Sequence, residues 1–188
     1  MALALDIAAT FAEKNGMTHT IKIFLHNDLF NLAFYHLCTI NDKSDRRERD
    51  ALSLDCMSYF IAISFGVEAF INSVGKLKVS GWRERQPFKA KIDQIYKEIG
   101  GNFVEEVEPY TTIATLKELR DCMAHGKPIE KSVDVSTRDE LWVEMDAPWA
   151  HCLTPEYVNH TYEQVKIWRE DLLRLARISA VQILTSAR

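Results

Sequence analysis

The chain has no glycine-rich phosphate loop, no H-E-x-x-H and no G-x-S-x-G, so nucleotide-loop, zincin and serine-hydrolase chemistries lose their usual signatures. Its four cysteines, Cys38, Cys56, Cys122 and Cys152, are scattered without a C-x-x-C pair, which predicts free thiols in a reducing cytoplasm. Cys122, His125, His151 and Cys152 are the only grouping with zinc-like chemistry, but an adjacent His-Cys pair is an awkward chelate. No metal and no cofactor is therefore expected. A positive excess is also missing. The net charge of −4 gives no global attraction to nucleic acid or an anionic membrane, so any RNA contact must be local.

A long apolar run is lacking as well. The most apolar stretch, "CMSYFIAISFGVEAFI", is too short for a membrane span and contains Glu68, so it is expected to be a buried core helix and no membrane association is predicted. The first residues, "MALALDIAATFAEKNG", show neither the basic start nor the cleavage site of a secretory leader. Seven glycines and five prolines over 188 residues leave no linker-like segment and no repeat, so one domain covering residues 1–188 is expected.

What remains is helical patterning. Ala2–Lys14 suits a short helix. Asn27 is placed to cap a second, with Leu29, Leu32, Phe34, Leu37 and Ile40 supplying apolar surface. After the charged "NDKSDRRERD", a central helix is predicted over about 49–78, apolar almost all round. Pro87 and Gly100 bracket a shorter helix with the stripe Ile92, Ile95 and Ile99. A further helix runs from near Pro109 to Gly126. The last opens at Thr154-Pro155 with Val158, Tyr162, Val165, Leu172, Ala176 and Ile183 on one face. Val133 and Val135, then Leu141, Val143 and Met145, alternate with polar residues, which predicts a small β-hairpin near 131–146. The fold class is thus an all-α bundle of about five helices. Trp142, Trp149 and Trp168 are expected as core or interface anchors. The segments "RRER" and "WRERQPFKAK", with Trp82 and Phe88, read as solvated charged faces before they read as an RNA track.

The chemistry concentrates in "ELRDCMAHGKP". Asp121 and His125 are four apart and share a helix face, whereas Arg120 lies about 140° from His125 on a regular helix. Gly126 and Pro128 mark the stop, and loosening there would let Arg120 and His125 converge on one anion. The macrodipole favours a cation at this end, which suits a histidine that transfers protons. A guanidinium fork matches a phosphoryl group. The trio fits cleavage of a phosphodiester by the RNA 2′-hydroxyl without a metal. It is also an ordinary way to finish a helix, and spacing alone does not separate the two.

"LRDCMAHGK", on the penultimate long helix, resembles the HEPN superfamily signature of Arg, a polar residue, and His four to six residues after the Arg. "SYFIAISFGVEAFIN" and "FKAKIDQIYKEIG" resemble the helices that precede it in that family, so the likeness spans about residues 57–127. The resemblance implies a bundle that homodimerises with two motif helices facing one cleft. It implies a metal-independent endoribonuclease acting on RNA, in toxin–antitoxin or phage-defence biology, or else a non-catalytic module that binds a partner protein or nucleotide. Carried onto this sequence, Arg120 and His125 are the catalytic pair and Asp121 orients them. Lys127 is expected to support the pair or touch substrate. Apart from the resemblance, Glu68 and Asn72 are four apart on the most apolar helix, where a buried carboxylate needs a partner. They either hold Arg120 or the motif-helix backbone, or make a structural hydrogen bond elsewhere in the bundle. A toxin subgroup has a tyrosine two after the histidine, which a partner enzyme modifies. Lys127 stands there, so that control is not expected, and an antitoxin or other partner would act differently.

Overall fold

The computed structural model describes residues 21–126 and 128–187; the expected helix at Ala2–Lys14 lies outside them. In chain order it has β1 (Ile21–Lys22), α1 (Leu25–Asp45), α2 (Leu52–Lys78), α3 (Phe88–Ile99), α4 (Tyr110–Ala124), α5 (Arg138–Glu144), α6 (Pro155–Ala176) and β2 (Ser186–Ala187). The all-α class holds. The two strands are a two-residue antiparallel tie, Ile21 opposite Ala187 and Lys22 opposite Ser186.

α2 is central because it is apolar on most of its circumference. Twelve of its residues, from Cys56 to Gly75, are buried, and it touches α1, α3, α4 and α6. By length and composition it is apolar enough to cross a membrane, yet 56% of its apolar window is buried inside the bundle. Its carboxyl-terminal half accommodates a close approach. A Cβ on Gly75 would fall 2.4 Å from the Trp82 ring, so only glycine lets that ring lie flat on the helix.

α1 folds back antiparallel on α2, pinned by Lys43 to Asp55 at 2.6 Å near one end and His26 to Ser73 at 3.0 Å near the other. α3 starts after Pro87 and stops at Gly100, whose φ of 72° is the left-handed cap the sequence suggests. α6 opens at Thr154, whose hydroxyl accepts the Tyr157 N–H at 3.2 Å, with Pro155 in the first turn. Trp168 is fully buried, donates to the Tyr96 hydroxyl at 3.1 Å and meets Phe70 edge-on at 5.6 Å.

Several expectations are corrected. Residues 131–146 do not form a hairpin: Thr137 and Glu140 make a reciprocal capping box that starts α5, and this local pair of bonds outcompetes weak alternation. Asn27 is not a cap. α1 begins at Leu25, and the Asn27 side chain donates to the Ile183 carbonyl at 3.1 Å. Leu32 and Phe34 stay exposed while Phe30 and Ala33 are buried. Ile183 is buried, but from a 3-10 turn after α6 has ended at Ala176. Trp142 is exposed, whereas Trp149 is partly buried against the core.

Candidate functional site

α4 is positioned from its first turn. Glu108, just before it, accepts the Thr112 N–H at 3.2 Å and the Thr112 hydroxyl at 3.0 Å. His160 on α6 lies 3.3 Å from the same carboxylate. Ile113, Leu116 and Leu119 then bury one face of the helix. Arg120 follows Leu119 at the edge of this seam, which leaves its side chain only 16% exposed.

Each of its three guanidinium nitrogens has a carboxylate partner. Nη1 pairs with Glu68 Oε2 on α2, while Nη2 and Nε donate to Asp121 Oδ1 at 2.6 and 3.1 Å. Glu68 turns its other oxygen to Lys91 Nζ on α3 at 2.8 Å, and Lys91 is 1% exposed. At the outer end Asp121 Oδ2 meets Lys117 Nζ at 3.2 Å. A continuous run, Lys91–Glu68–Arg120–Asp121–Lys117, therefore leads from the core to the surface across three helices. Three cations against two carboxylates leave one positive charge in excess.

The electrostatics follow the burial. Desolvation pushes the Lys91 ammonium below its usual range, with Glu84 pulling it back up. Burial alone would raise the Asp121 carboxyl, but hydrogen bonds from Arg120 and then Lys117 outweigh it and hold it below the ordinary value. Asn72, one turn beyond Glu68, has a buried Oδ1 without a hydrogen-bond partner among the described residues.

His125 differs from Arg120 in every respect. It is exposed just past the end of α4, and its backbone N–H donates to the Asp121 carbonyl at 3.0 Å. Asp121 sends its carboxylate to Arg120 and Lys117 and makes no side-chain bond to His125. Both Lys117 and His125 are four residues from Asp121; the ammonium, on a regular turn of the helix, is the partner it takes. Gly126 follows without a positive φ, so the helix ends by fraying through His125 instead of by a left-handed glycine stop. Lys127 lies outside the described residues.

The other candidates separate. Cys152 is buried with Sγ 3.2 Å from His151 Nε2, Cys122 is exposed, and among the described residues no cluster of three or more His, Cys, Asp or Glu is placed to hold a metal. Trp82 and Phe88 are partly buried against the core. Arg47 and Arg49 line a cleft of about 570 Å³ together with Glu48 and Glu156, so its charge is mixed.

Reading the sequence for function missed Lys91 and Lys117. Lys91 had a signal, since it falls one turn before Ile95 on the apolar stripe of α3, where a lysine needs a buried carboxylate. Lys117 had one too, as the i−4 neighbour of Asp121. No family model matches this chain, and no curated protein or solved structure aligns with it significantly.

Proposed function

We propose that the chain is a metal-independent endoribonuclease of the HEPN type, working as a homodimer whose two motif helices share one RNA-binding cleft. The observation that carries this reading is the helix end itself. An exposed imidazole at His125 terminates the helix that holds Arg120, beside a run of charges with one positive charge in excess. In the reaction the 2′-oxygen attacks phosphorus, giving its proton to an imidazole. The bond to the 5′-oxygen breaks as that oxygen takes up a proton, leaving a cyclic phosphate and a free 5′-hydroxyl. Arg120 counters the charge that builds on the phosphoryl oxygens.

Asp121 then acts on Arg120 more than on His125. Its Oδ1 occupies the Nε/Nη2 edge of the guanidinium, the edge that a phosphate would take, and Lys117 keeps Asp121 paired once it is displaced. Glu68, locked by Lys91, holds the other guanidinium nitrogen and fixes the arginine's direction. Toxin or phage-defence biology, with an antitoxin or other partner protein in the cytoplasm, is the setting this activity fits.

The test is RNA cleavage in the presence of EDTA. Wild type cleaves; His125→Ala and Arg120→Ala lose cleavage while His125→Ala keeps the helical circular dichroism of the parent. Undiminished cleavage by His125→Ala rejects the assignment. The engagement of Arg120 by two carboxylates favours a second reading, a non-catalytic module binding a partner protein or nucleotide. Wild type that binds RNA or nucleotide without ever cutting it supports that reading.

A further inference from the structure

Arg169 on α6 is a partly buried charge without a salt bridge among the described residues. Its guanidinium lies over the Phe30 ring at 3.9 Å and near the Phe70 ring at 5.4 Å, yet no carboxylate among the described residues pairs with it. Its Nε is buried and has no hydrogen-bond partner there. Aromatic faces return part of the lost hydration, but they do not satisfy the planar donor fork. Burial pushes the Arg169 guanidinium below its usual range, and the Tyr162 and Glu170 side chains only partly offset that through charge, without a salt bridge. The neighbouring His26 does not help, because it is buried, meets Phe30 and Phe70 edge-on, and is held neutral.

Arg169 opens onto a cavity of about 250 Å³ between α1 and α6. Phe30, Ile63 and Val165 form its apolar inner wall, and Phe34 and Tyr162 its rim, their ring centroids 5.9 Å apart. Its polar groups besides Arg169 are the Asn31 amide, the Tyr162 hydroxyl and Lys166, whose salt-bridge partner among the described residues, Glu163, is 3.8 Å away on the exposed surface. The half-exposed Phe34 has no burial reason to stand at this rim. The space suits a ligand smaller than a drug-sized molecule, with one end apolar and the other anionic.

We propose that this cavity binds a small carboxylate with an aromatic or branched apolar body, its carboxylate held by Arg169 and Lys166 and its body between Phe34, Tyr162 and Ile63. A carboxylate with an apolar body is the match because a planar fork donates to it in two parallel bonds, while Phe34, Tyr162 and Ile63 offer the apolar contact for its body. The same fork also matches phosphate, which is therefore the competing anion, and the apolar contacts at Phe34 and Ile63 favour the ligand that carries an apolar body. The site lies on α1, α2 and α6, shares no residue with the run of charges from Lys91 to Lys117, and does not depend on the endoribonuclease reading. An occupant would bridge the first and last described helices and stabilise the bundle by mass action.

The purified full chain is titrated by calorimetry with benzoate and phenylacetate, with benzyl alcohol as the neutral counterpart and with inorganic phosphate. The expected result is saturable binding of the carboxylates, none of benzyl alcohol, and a rise in melting temperature with carboxylate concentration. Arg169→Gln weakens binding by about tenfold or more, the loss of a charge-assisted pair, and Phe34→Ala, an exposed position that the fold tolerates, weakens it several-fold. The proposal is overturned by wild type that binds no carboxylate saturably, by preference for phosphate, or by Phe34→Ala and Arg169→Gln that both bind as tightly as wild type. Should Arg169→Gln not fold, Arg169→Lys takes its place beside Phe34→Ala, and undiminished binding by both overturns the proposal in the same way.

Discussion

Arg120 on α4 and Arg169 on α6 both hold a guanidinium largely away from water, and they are compensated in opposite ways. Arg120 is fixed by carboxylates on either side, Glu68 and Asp121, each backed by a lysine. Arg169 has aromatic faces and no carboxylate among the described residues. An ion-paired arginine is held in one direction, and its donors are open only to a ligand that displaces a carboxylate. A ring-stacked arginine keeps its donors free. Pairing therefore suits a group that must be aimed, and stacking suits one that waits for an anion.

The strongest way to break the contrast is to remove the carboxylate at its centre. Glu68→Ala strands Lys91 in the core and frees half of Arg120, and should cost about 3 kcal/mol in urea denaturation, less than a fully enclosed pair because Glu68 is partly exposed. Adding Lys91→Met should restore most of that loss. No recovery would mean that the lysine charge is not what the carboxylate is needed for.

Next in size is the histidine beside Arg169. Burial, then the Arg169 charge, push His26 down from 6.5 to about 4, with the Ile183 carbonyl pulling the other way. Its Nδ1 faces Ser73, whose hydroxyl already donates to the Ala69 carbonyl, so His26 is the donor in that bond. The unfolded chain takes a proton near pH 6.5 that the folded chain refuses until about pH 4. Stability is therefore complete above that window and falls as pH drops through it, by on the order of 2–3 kcal/mol. Subtracting the stability curve of His26→Phe from that of wild type should isolate this slope. Curves that stay parallel between those pH values would show that His26 does not set it.

A side-by-side substitution sharpens the comparison further. Arg120→Met should destabilise by about 1–2 kcal/mol, because Glu68 and Asp121 keep Lys91 and Lys117 but lose their shared cation. Arg169→Met, which trades a desolvated cation for an apolar chain of similar length, should stay within about 1 kcal/mol of wild type. The reverse order, measured in chemical melts, would mean that stacking outranks pairing here. The smallest effect belongs to Asp121. Its lowered carboxyl contributes stability that is present above the ordinary carboxylate range and disappears as pH falls through the folded value. With Asp121 37% exposed, water screens it to below about 1 kcal/mol, so Asp121→Asn should flatten the acid limb only slightly.

Legibility in the sequence tracks the range of the forces involved. Pro87 and Gly100 around α3, and Thr154-Pro155 before α6, act within one helical turn; α3 starts and stops, and α6 starts, where those residues indicate. The apolar circumference of "CMSYFIAISFGVEAFI" likewise marked α2 as central. Thr137 and Glu140 carry an equally local signal, but the alternation of Val133, Val135, Leu141, Val143 and Met145 masks it, and the reading as a hairpin fails. The i,i+4 pairing of Asp121 with His125 was legible as a spacing, but Lys117 satisfies the same spacing and only the folded geometry selects between them.

By itself, then, the sequence determined the all-α class, the helix ends with local caps, and the one helix end where Arg120, Asp121 and His125 gather. Only the tertiary structure decided that Glu68 joins Lys91, 23 residues later, to Arg120, and that Arg169 lies over Phe30 and Phe70 without a carboxylate. The reason is physical. A cap is a bond between neighbours in the chain, whereas the state of a buried charge depends on what the packing of distant helices brings within a few ångströms of it.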